Sequence, residues 1–184
     1  MQIGPLNDDT APSVREAMAV ILLTALDHVP SAWHDIGAAR DEVATFFGNP
    51  ERLAFGAFDG ETLLGWIGAI RAASHAWELH PLVVDPGHHG SGIGTRLVGT
   101  LENEARRAGI CTLWLGTDDD IGGTNIYGKD IYPDVLAHAA AIAPTTVSHP
   151  LTFYQRLGFV VTGLLPDATG AGRHDIILAK RIGA

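Results

Sequence analysis

The spacing of apolar and polar residues predicts two helices and a hairpin in the first part of the chain. Apolar positions recur at helical spacing after Ser13–Glu16, whose sequence fits a capping box at a helix start. A second helical stretch lies near Arg40–Phe47. Two extended runs follow, Leu53–Phe58 and Leu63–Ile70. Asp59–Gly60 between them suits a tight turn, so the two runs are expected to pair as an antiparallel hairpin.

Strands and helices alternate in the remainder of the chain. Trp77–Val84 predicts a third strand, and a glycine-rich loop separates it from a helix that ends at Gly109. Thr112–Leu115 is a further strand, parallel to the third if the helix is a crossover. The other predicted elements are a helix after Pro133, a helix at Leu151–Leu157, strands at Phe159–Leu164 and Asp175–Ala179, and a turn-rich loop at Pro166–Arg173. This order predicts a mixed α/β (α+β) class.

Length and composition indicate one domain over residues 1–184. The chain has no stretch of roughly 20 apolar residues that a bilayer requires, and no secretory signal at its start. Its one cysteine, Cys111, cannot form an internal disulfide. These features predict a cytoplasmic protein that does not bind a membrane.

The chain carries more acidic than basic residues, which indicates the kind of partner it can bind. The net charge is −9, from 12 basic and 21 acidic residues. This balance argues against a nucleic-acid partner and allows the attraction of a cationic ligand. The histidines lack the spacing with cysteines and carboxylates that a metal site requires, so no metal is expected.

A glycine-rich loop joins the third strand to the following helix. It consists of His89, Gly90, Ser91, Gly92, Ile93, Gly94 and Thr95. Backbone N–H groups in such a loop can face a phosphate at the positive end of the helix dipole. The spacing matches neither a Walker loop nor a Rossmann fingerprint. A pyrophosphate site and a plain tight turn both remain open from the loop alone.

The strand before this loop carries two ionisable side chains. Alternation places Glu78 and His80 on one face, and Pro81 interrupts pairing, which predicts a local bulge. One interpretation is a site for proton transfer. The alternative is that Glu78 pairs with a basic side chain and His80 is a satisfied, partly buried histidine.

The order of elements and several motifs resemble the GNAT acetyltransferases, and within them the aminoglycoside 6'-N-acetyltransferases. His89 stands where the family hallmark has Gln or Arg. The resemblance rests on Trp77–Val84, Ile93–Val98, Leu115–Asp119, His149–Pro150, Phe153–Tyr154, Gly163–Ala168 and Asp175. It extends over most of the chain and weakens before Asn49.

The resemblance implies the GNAT fold and acetyl-CoA as co-substrate. In that fold a mixed, mostly antiparallel central sheet is flanked by helices, and one parallel strand pair splays apart. Pantetheine would lie in the gap along the main chain of Leu82, Val83 and Val84. The loop from His89 to Thr95 would hold the pyrophosphate, and an N–H near Leu82 would stabilise the oxyanion.

The resemblance also implies roles for individual side chains. Glu78, with His80 beside it, would orient the substrate ammonium and draw away its proton, directly or through water. Tyr154 would protonate the departing thiolate, the alternative being a core tyrosine. Asp118 and Asp119 would bind a ligand with several ammonium groups, the alternative being a solvated acidic turn.

The predicted function is transfer of acetyl from acetyl-CoA to the 6'-amine of an aminoglycoside by direct attack in a ternary complex. Antibiotic resistance and a homodimer are implied by the same resemblance. One alternative is another amine, such as a polyamine, an amino acid or a protein N-terminus. Another is a CoA-binding sensor without catalysis.

Overall fold

The structure is a computed structural model and describes residues 1–30, 32–146 and 149–183. The chain divides into two units. The first contains Met1–Leu113 and the last residues from Ile182 onward, and the second contains Trp114–Arg181. The single domain over residues 1–184 stays a prediction.

Four antiparallel strands form the sheet of the first unit, in the order β1-β2-β3-β4. The hairpin prediction is confirmed, since Gly60 takes a positive φ of 58° in the turn. The strands are β1 (Gln2–Leu6), β2 (Arg52–Asp59), β3 (Thr62–Ala73) and β4 (Ala76–Val84). β1 was not predicted from the sequence. Its Pro5 is compatible with a strand because β1 pairs only with β2, at the edge of this sheet.

Three helices accompany this sheet: α1 (Pro12–Ala25), α2 (Ile36–Ala44) and α3 (Ile93–Arg107). The predicted capping box at Ser13–Glu16 is wrong. The N-cap of α1 is Ala11, no side chain caps it, and Pro12 lies in the first turn, where a missing N–H costs nothing. α2 begins earlier than predicted because the Asp35 carboxylate accepts from the Ala38 N–H at 2.9 Å. Within the described residues, no helix has the length and apolar character needed to cross a membrane.

Trp66 on β3 is the centre of the apolar core of the first unit. Its ring is fully buried, and its Nε1–H donates to the Met18 carbonyl of α1 at 3.1 Å. The Phe46 ring meets it edge-on, with 5.5 Å between the centroids. A buried indole N–H needs a partner, so this bond fixes where α1 lies on the sheet.

The predicted bulge beside Pro81 is confirmed. Ile67 pairs with Leu82 and Ala69 pairs with Leu79, so β4 uses one residue more than β3 over this stretch. Gly68 lies opposite the extra residue. A Cβ there would overlap the His80 carbonyl oxygen and come within 2.6 Å of Phe46 Cζ. The bulge therefore requires a glycine at position 68.

The second unit contains strands in the order β5-β7-β6 and two short helices. Their bounds are β5 (Thr112–Asp118, which begins at the end of the first unit), α4 (Val135–Ala140), α5 (Pro150–Arg156), β6 (Val160–Gly170) and β7 (Arg173–Arg181). The loop predicted at Pro166–Arg173 is mostly strand, since β6 continues to Gly170. The turn residues instead form an irregularity in β6, where Asp167 takes a φ of 55°.

Gly68→Ala should destabilise the protein by about 1–3 kcal/mol, because the added methyl group would force the bulge and Phe46 apart. Gly4→Ala on β1 is the matched control, since a Cβ there meets nothing within 4 Å. Urea unfolding monitored by tryptophan fluorescence measures both variants. Equal stability of the two variants would contradict the packing assigned to Gly68.

Candidate active site

β4 presents alternate residues at its accessible side. Burial alternates without a break over Ala76–Val84, so that Glu78, His80, Leu82 and Val84 are half-buried and the residues between them are buried. The prediction that Glu78 and His80 share a direction is confirmed. Leu82, Val83 and Val84 pair with Ile67, Trp66 and Gly65 of β3.

His80 lies between two side chains that come from outside the sheet. Its Nε2 is 3.5 Å from Oε1 of Glu42 on α2. The Trp33 ring, which also packs against the apolar core, is tilted against the imidazole at a centroid distance of 5.9 Å. The imidazole is therefore held on two sides while about a third of the side chain stays accessible.

The Glu42 carboxylate is part of a small ionic network. Arg52 Nη1 donates to Glu42 Oε1 at 2.9 Å and to Thr45 Oγ1 at 2.8 Å. The nearby His80 imidazole holds the pKa of Glu42 below its ordinary value, and Arg52 lowers this pKa further. Desolvation of the carboxylate offsets part of the shift. Glu42 is thus a negative charge beside His80 at neutral pH.

Glu78 differs from Glu42 in having no ionic partner among the described residues. Within the described residues, its carboxylate forms neither an ion pair nor a side-chain hydrogen bond. The alternative in which a basic side chain neutralises Glu78 is thus not seen in the described part of the chain. A carboxylate at a half-buried position of β4 is available to a cationic ligand.

The glycine-rich loop is shaped by its own polar groups. Asp85 accepts from the Gly87 N–H at 2.8 Å and opens a 3-10 turn over Pro86–His88. The His89 imidazole contacts the Val84 carbonyl oxygen at 2.9 Å. The His89 side chain therefore turns back toward β4, which leaves any contact with a phosphate to the main chain.

Gly92 ends the loop and begins α3. It takes a left-handed φ of 81°, and no side chain caps the helix. The first N–H groups of an uncapped helix can bind an anion, and the helix dipole favours negative charge there. The tight turn and the phosphate site are thus compatible interpretations of the same loop.

Tyr154 lies on α5 in the second unit. Its ring is buried and meets Phe153 and Phe159 edge-on, with centroids 5.1 and 5.6 Å away. Burial raises the pKa of the phenol above its ordinary value of about 10. Tyr154 therefore carries its proton at neutral pH. This protonation state is expected both for a core tyrosine and for a proton donor.

The Asp119 carboxylate is fully buried and holds the loop after β5. It accepts hydrogen bonds from the N–H groups of Gly122, Gly123 and Thr124, and from the Thr124 hydroxyl. The geometry assigns Asp119 to loop support, and its contact with a substrate stays a prediction. Asp118, at the end of β5, is half-buried.

His149 caps α5 and was not predicted as a functional residue. Its Nδ1 accepts from the Leu151 N–H at 3.1 Å, and its Nε2 is 3.9 Å from Asp119 Oδ1. Burial lowers the pKa of the imidazole, which is therefore neutral with its proton on Nε2. His149 links the loop of Asp119 to the start of the helix that carries Tyr154.

The site residues thus fall into two groups. Glu78, His80 and the loop from His89 to Thr95 belong to the first unit, whereas Asp118, Asp119 and Tyr154 belong to the second. No group of three His, Cys, Asp or Glu residues that could hold a metal ion occurs in the described ranges.

Comparison with known proteins decides the family. The sequence profile of the acetyltransferase (GNAT) family matches residues 21–127. The chain belongs to this family. The crystal structure of an aminoglycoside 6'-N-acetyltransferase complexed with coenzyme A is 36% identical, with a TM-score of 0.88, and the match covers 99% of this chain and 97% of that chain. The aminoglycoside 6'-N-acetyltransferase from Enterococcus faecium is 37% identical, with a TM-score of 0.86 and the same coverage.

A curated relative of another kind also matches this GNAT chain. N-alpha-acetyltransferase RimI of Mycobacterium tuberculosis (strain ATCC 25618 / H37Rv) is 37% identical over 75 residues. That stretch covers 39% of this chain and 47% of the relative, so the match spans about half of the curated protein.

The predicted GNAT fold and the acetyl-CoA-dependent N-acetyltransferase class are confirmed by these similarities. Enzymes of the family use acetyl-CoA, so the predicted co-substrate is confirmed as that of the family. The splayed strand pair and the roles of individual residues stay predictions.

Asp119→Asn should destabilise the protein by about 2 kcal/mol, because an amide NH₂ would face donors that now meet a carboxylate oxygen. Asp134→Asn is the control, since this exposed carboxylate forms no capping bond at α4. Thermal unfolding compares the two variants. A stability of Asp119→Asn equal to that of the control would exclude the loop-holding role.

Proposed function

We propose that this GNAT enzyme transfers acetyl from acetyl-CoA to the 6'-amine of an aminoglycoside. The observation that carries the proposal is the pair Glu78 and His80, accessible side by side on β4 just before the glycine-rich loop. The similarity to two aminoglycoside 6'-N-acetyltransferases over 99% of the chain supports the substrate class.

The acetyl donor is bound by main-chain groups in this proposal. The uncapped start of α3 and the N–H groups of the loop from His89 to Thr95 hold the pyrophosphate. The main chain of Leu82, Val83 and Val84 holds the pantetheine and polarises the thioester carbonyl. Acetyl-CoA supplies the activated acetyl group as a thioester.

The amine requires a base because it is largely protonated at neutral pH. Glu78 binds the ammonium, and its proton leaves toward Glu78 or His80 through a water molecule. The free amine then attacks the thioester carbonyl carbon, a C–N bond forms and the C–S bond breaks. The chain needs no acyl-enzyme for this step, since the amine attacks in a ternary complex.

Tyr154 completes the transfer as the general acid. Its phenol gives a proton to the departing sulfur, and the second proton lost from the nitrogen returns to the phenol by way of solvent. The raised pKa of Tyr154 supports this role because it keeps the donor protonated over the physiological range.

The charge of the chain fits a cationic substrate. The net charge of −9 attracts a polycationic ligand, and Asp118 and Asp119 are proposed to bind or shape the site for further ammonium groups. A cytoplasmic location, a homodimer and antibiotic resistance complete the proposal. Light scattering on the purified protein measures the oligomeric state.

A second substrate class has its own support. The similarity to N-alpha-acetyltransferase RimI favours a protein N-terminus as the amine. Polyamines and amino acids present the same kind of ammonium group and are further candidate substrates. A CoA-binding sensor would act without any amine substrate. The fold alone does not choose among these.

The test of the substrate is product regiochemistry. The protein should acetylate a 6'-amino aminoglycoside such as kanamycin at the 6'-nitrogen, and leave a 6'-hydroxy aminoglycoside unmodified. Thiol release and NMR of the product measure both. Faster turnover of a peptide N-terminus than of kanamycin would select the second substrate class, and no turnover of any amine would select the sensor.

Glu78→Gln and Tyr154→Phe should each lower kcat about 100-fold, because Glu78 binds the substrate ammonium beside the base and Tyr154 donates a proton to the departing sulfur. Tyr132→Phe and Glu61→Gln are matched controls at exposed positions. The deficit of Tyr154→Phe should be equal at about pH 7 and about pH 9, both below the ordinary phenol pKa of about 10. Wild-type rates in both variants would overturn the assigned roles.

A further inference from the structure

Glu42 approaches His80 from α2, outside the sheet that carries the proposed base. The two side chains meet at Nε2 and Oε1, 3.5 Å apart, and Glu42 is the more buried of the two. Sequence motifs do not connect these residues, since Glu42 lies in the stretch before Asn49. The contact exists because Phe46 and Gly68 let the end of α2 pack closely against the bulge of β4.

The Glu42 carboxylate is also held by Arg52. Arg52 donates to the same Oε1 at 2.9 Å and to Thr45 Oγ1 at 2.8 Å. The Arg52 guanidinium also lies over the Phe46 ring, with Cζ 5.1 Å from the centroid. A carboxylate held in this way differs from a mobile surface carboxylate, because its oxygen has a fixed position relative to the imidazole.

A fixed acceptor beside one ring nitrogen decides the tautomer of a neutral histidine. The proton is favoured on Nε2, next to Glu42, and Nδ1 is left with its lone pair. Within the described residues, Nδ1 of His80 forms no hydrogen bond. His80 therefore has Nε2 at 3.5 Å from the Glu42 carboxylate and Nδ1 open to accept a proton.

We propose that Glu42 is a positioning residue that holds His80 as the Nε2–H tautomer, so that Nδ1 accepts the proton from the substrate ammonium. The proposal rests on the proposed acetyl transfer and names the base that this transfer requires. The ammonium proton passes through water to Nδ1, and the resulting imidazolium keeps its Nε2–H directed at Glu42 Oε1. The proton then leaves to solvent after the C–N bond has formed.

Glu42 also has a structural alternative, in which it only ties α2 to β2 through Arg52. Two variants separate the roles. Glu42→Gln keeps an acceptor oxygen that Arg52 can hold in place, whereas Glu42→Met keeps the volume and removes the acceptor. A purely structural role predicts similar effects on His80 in both variants, because each loses the charge of the ion pair.

The first measurement is the ¹⁵N spectrum of the His80 ring at about pH 8, above the ordinary imidazole pKa of about 6.5. Wild type and Glu42→Gln should show a protonated Nε2 and an unprotonated Nδ1, whereas Glu42→Met should show a mixture. Glu16→Gln, in the exposed Glu16–Arg40 ion pair, should leave the spectrum unchanged. A protonated Nδ1 in wild type would overturn the proposal even if Glu42→Met fails to fold.

The second measurement is turnover with the amine that the protein uses best. Glu42→Met should lower kcat about 10-fold with little change in KM, as losing a residue that orients another commonly does, and Glu42→Gln should stay within about 3-fold of wild type. Wild-type kcat in Glu42→Met would overturn the proposal. The ring spectrum needs no substrate, so a confirmed tautomer without aminoglycoside turnover would refute the proposed substrate and leave the role of Glu42 standing.

Discussion

The close approach of β3 and β4 at Gly68 is the constraint on which the first unit depends. The absence of a side chain there admits the His80 carbonyl group and the Phe46 ring into the same space. Phe46 in turn packs on Trp66, and Trp66 is tied to α1 through the Met18 carbonyl. The bulge that displaces β4 is thus part of the core packing, and the accessible side chains of β4 take their positions from it.

The polar contacts around His80 depend on the same packing. Arg52 lies over Phe46 and binds Glu42, and Glu42 lies beside His80. Because each contact is partly shielded from water, it is worth more than an exposed ion pair. In the proposed mechanism, this network orients the imidazole of His80.

The second unit uses a buried carboxylate in a comparable way. The Asp119 carboxylate accepts hydrogen bonds from N–H groups of the following loop. His149 contacts both Asp119 and the first turn of α5. Gly123 has to be a glycine because a Cβ there would collide with the His149 ring. The position of Tyr154 on α5 therefore follows from the polar contacts of Asp119 and His149.

The sequence predicted the features that depend on a few neighbouring residues, such as strand alternation, turns and helix ends. The alternation of β4, the hairpin at Gly60 and the stop of α3 at Gly109 depend on neighbouring residues, and they are found as predicted. β1 was missed because five residues that include Pro5 carry no alternation, and its strand exists only through pairing with β2. Glu42 and His149 were missed because contacts between distant segments leave no periodic signal.

In the proposed mechanism, the accessible face of β4 binds and deprotonates the amine during acetyl transfer. The most direct test is a crystal structure with CoA and a 6'-amino aminoglycoside bound. In that structure, we expect the 6'-nitrogen to lie within one water molecule of both Glu78 and His80, with hydrogen-bond distances of about 3 Å along that path. A 6'-nitrogen bound away from β4, with Glu78 and His80 turned from the ligand, would contradict it.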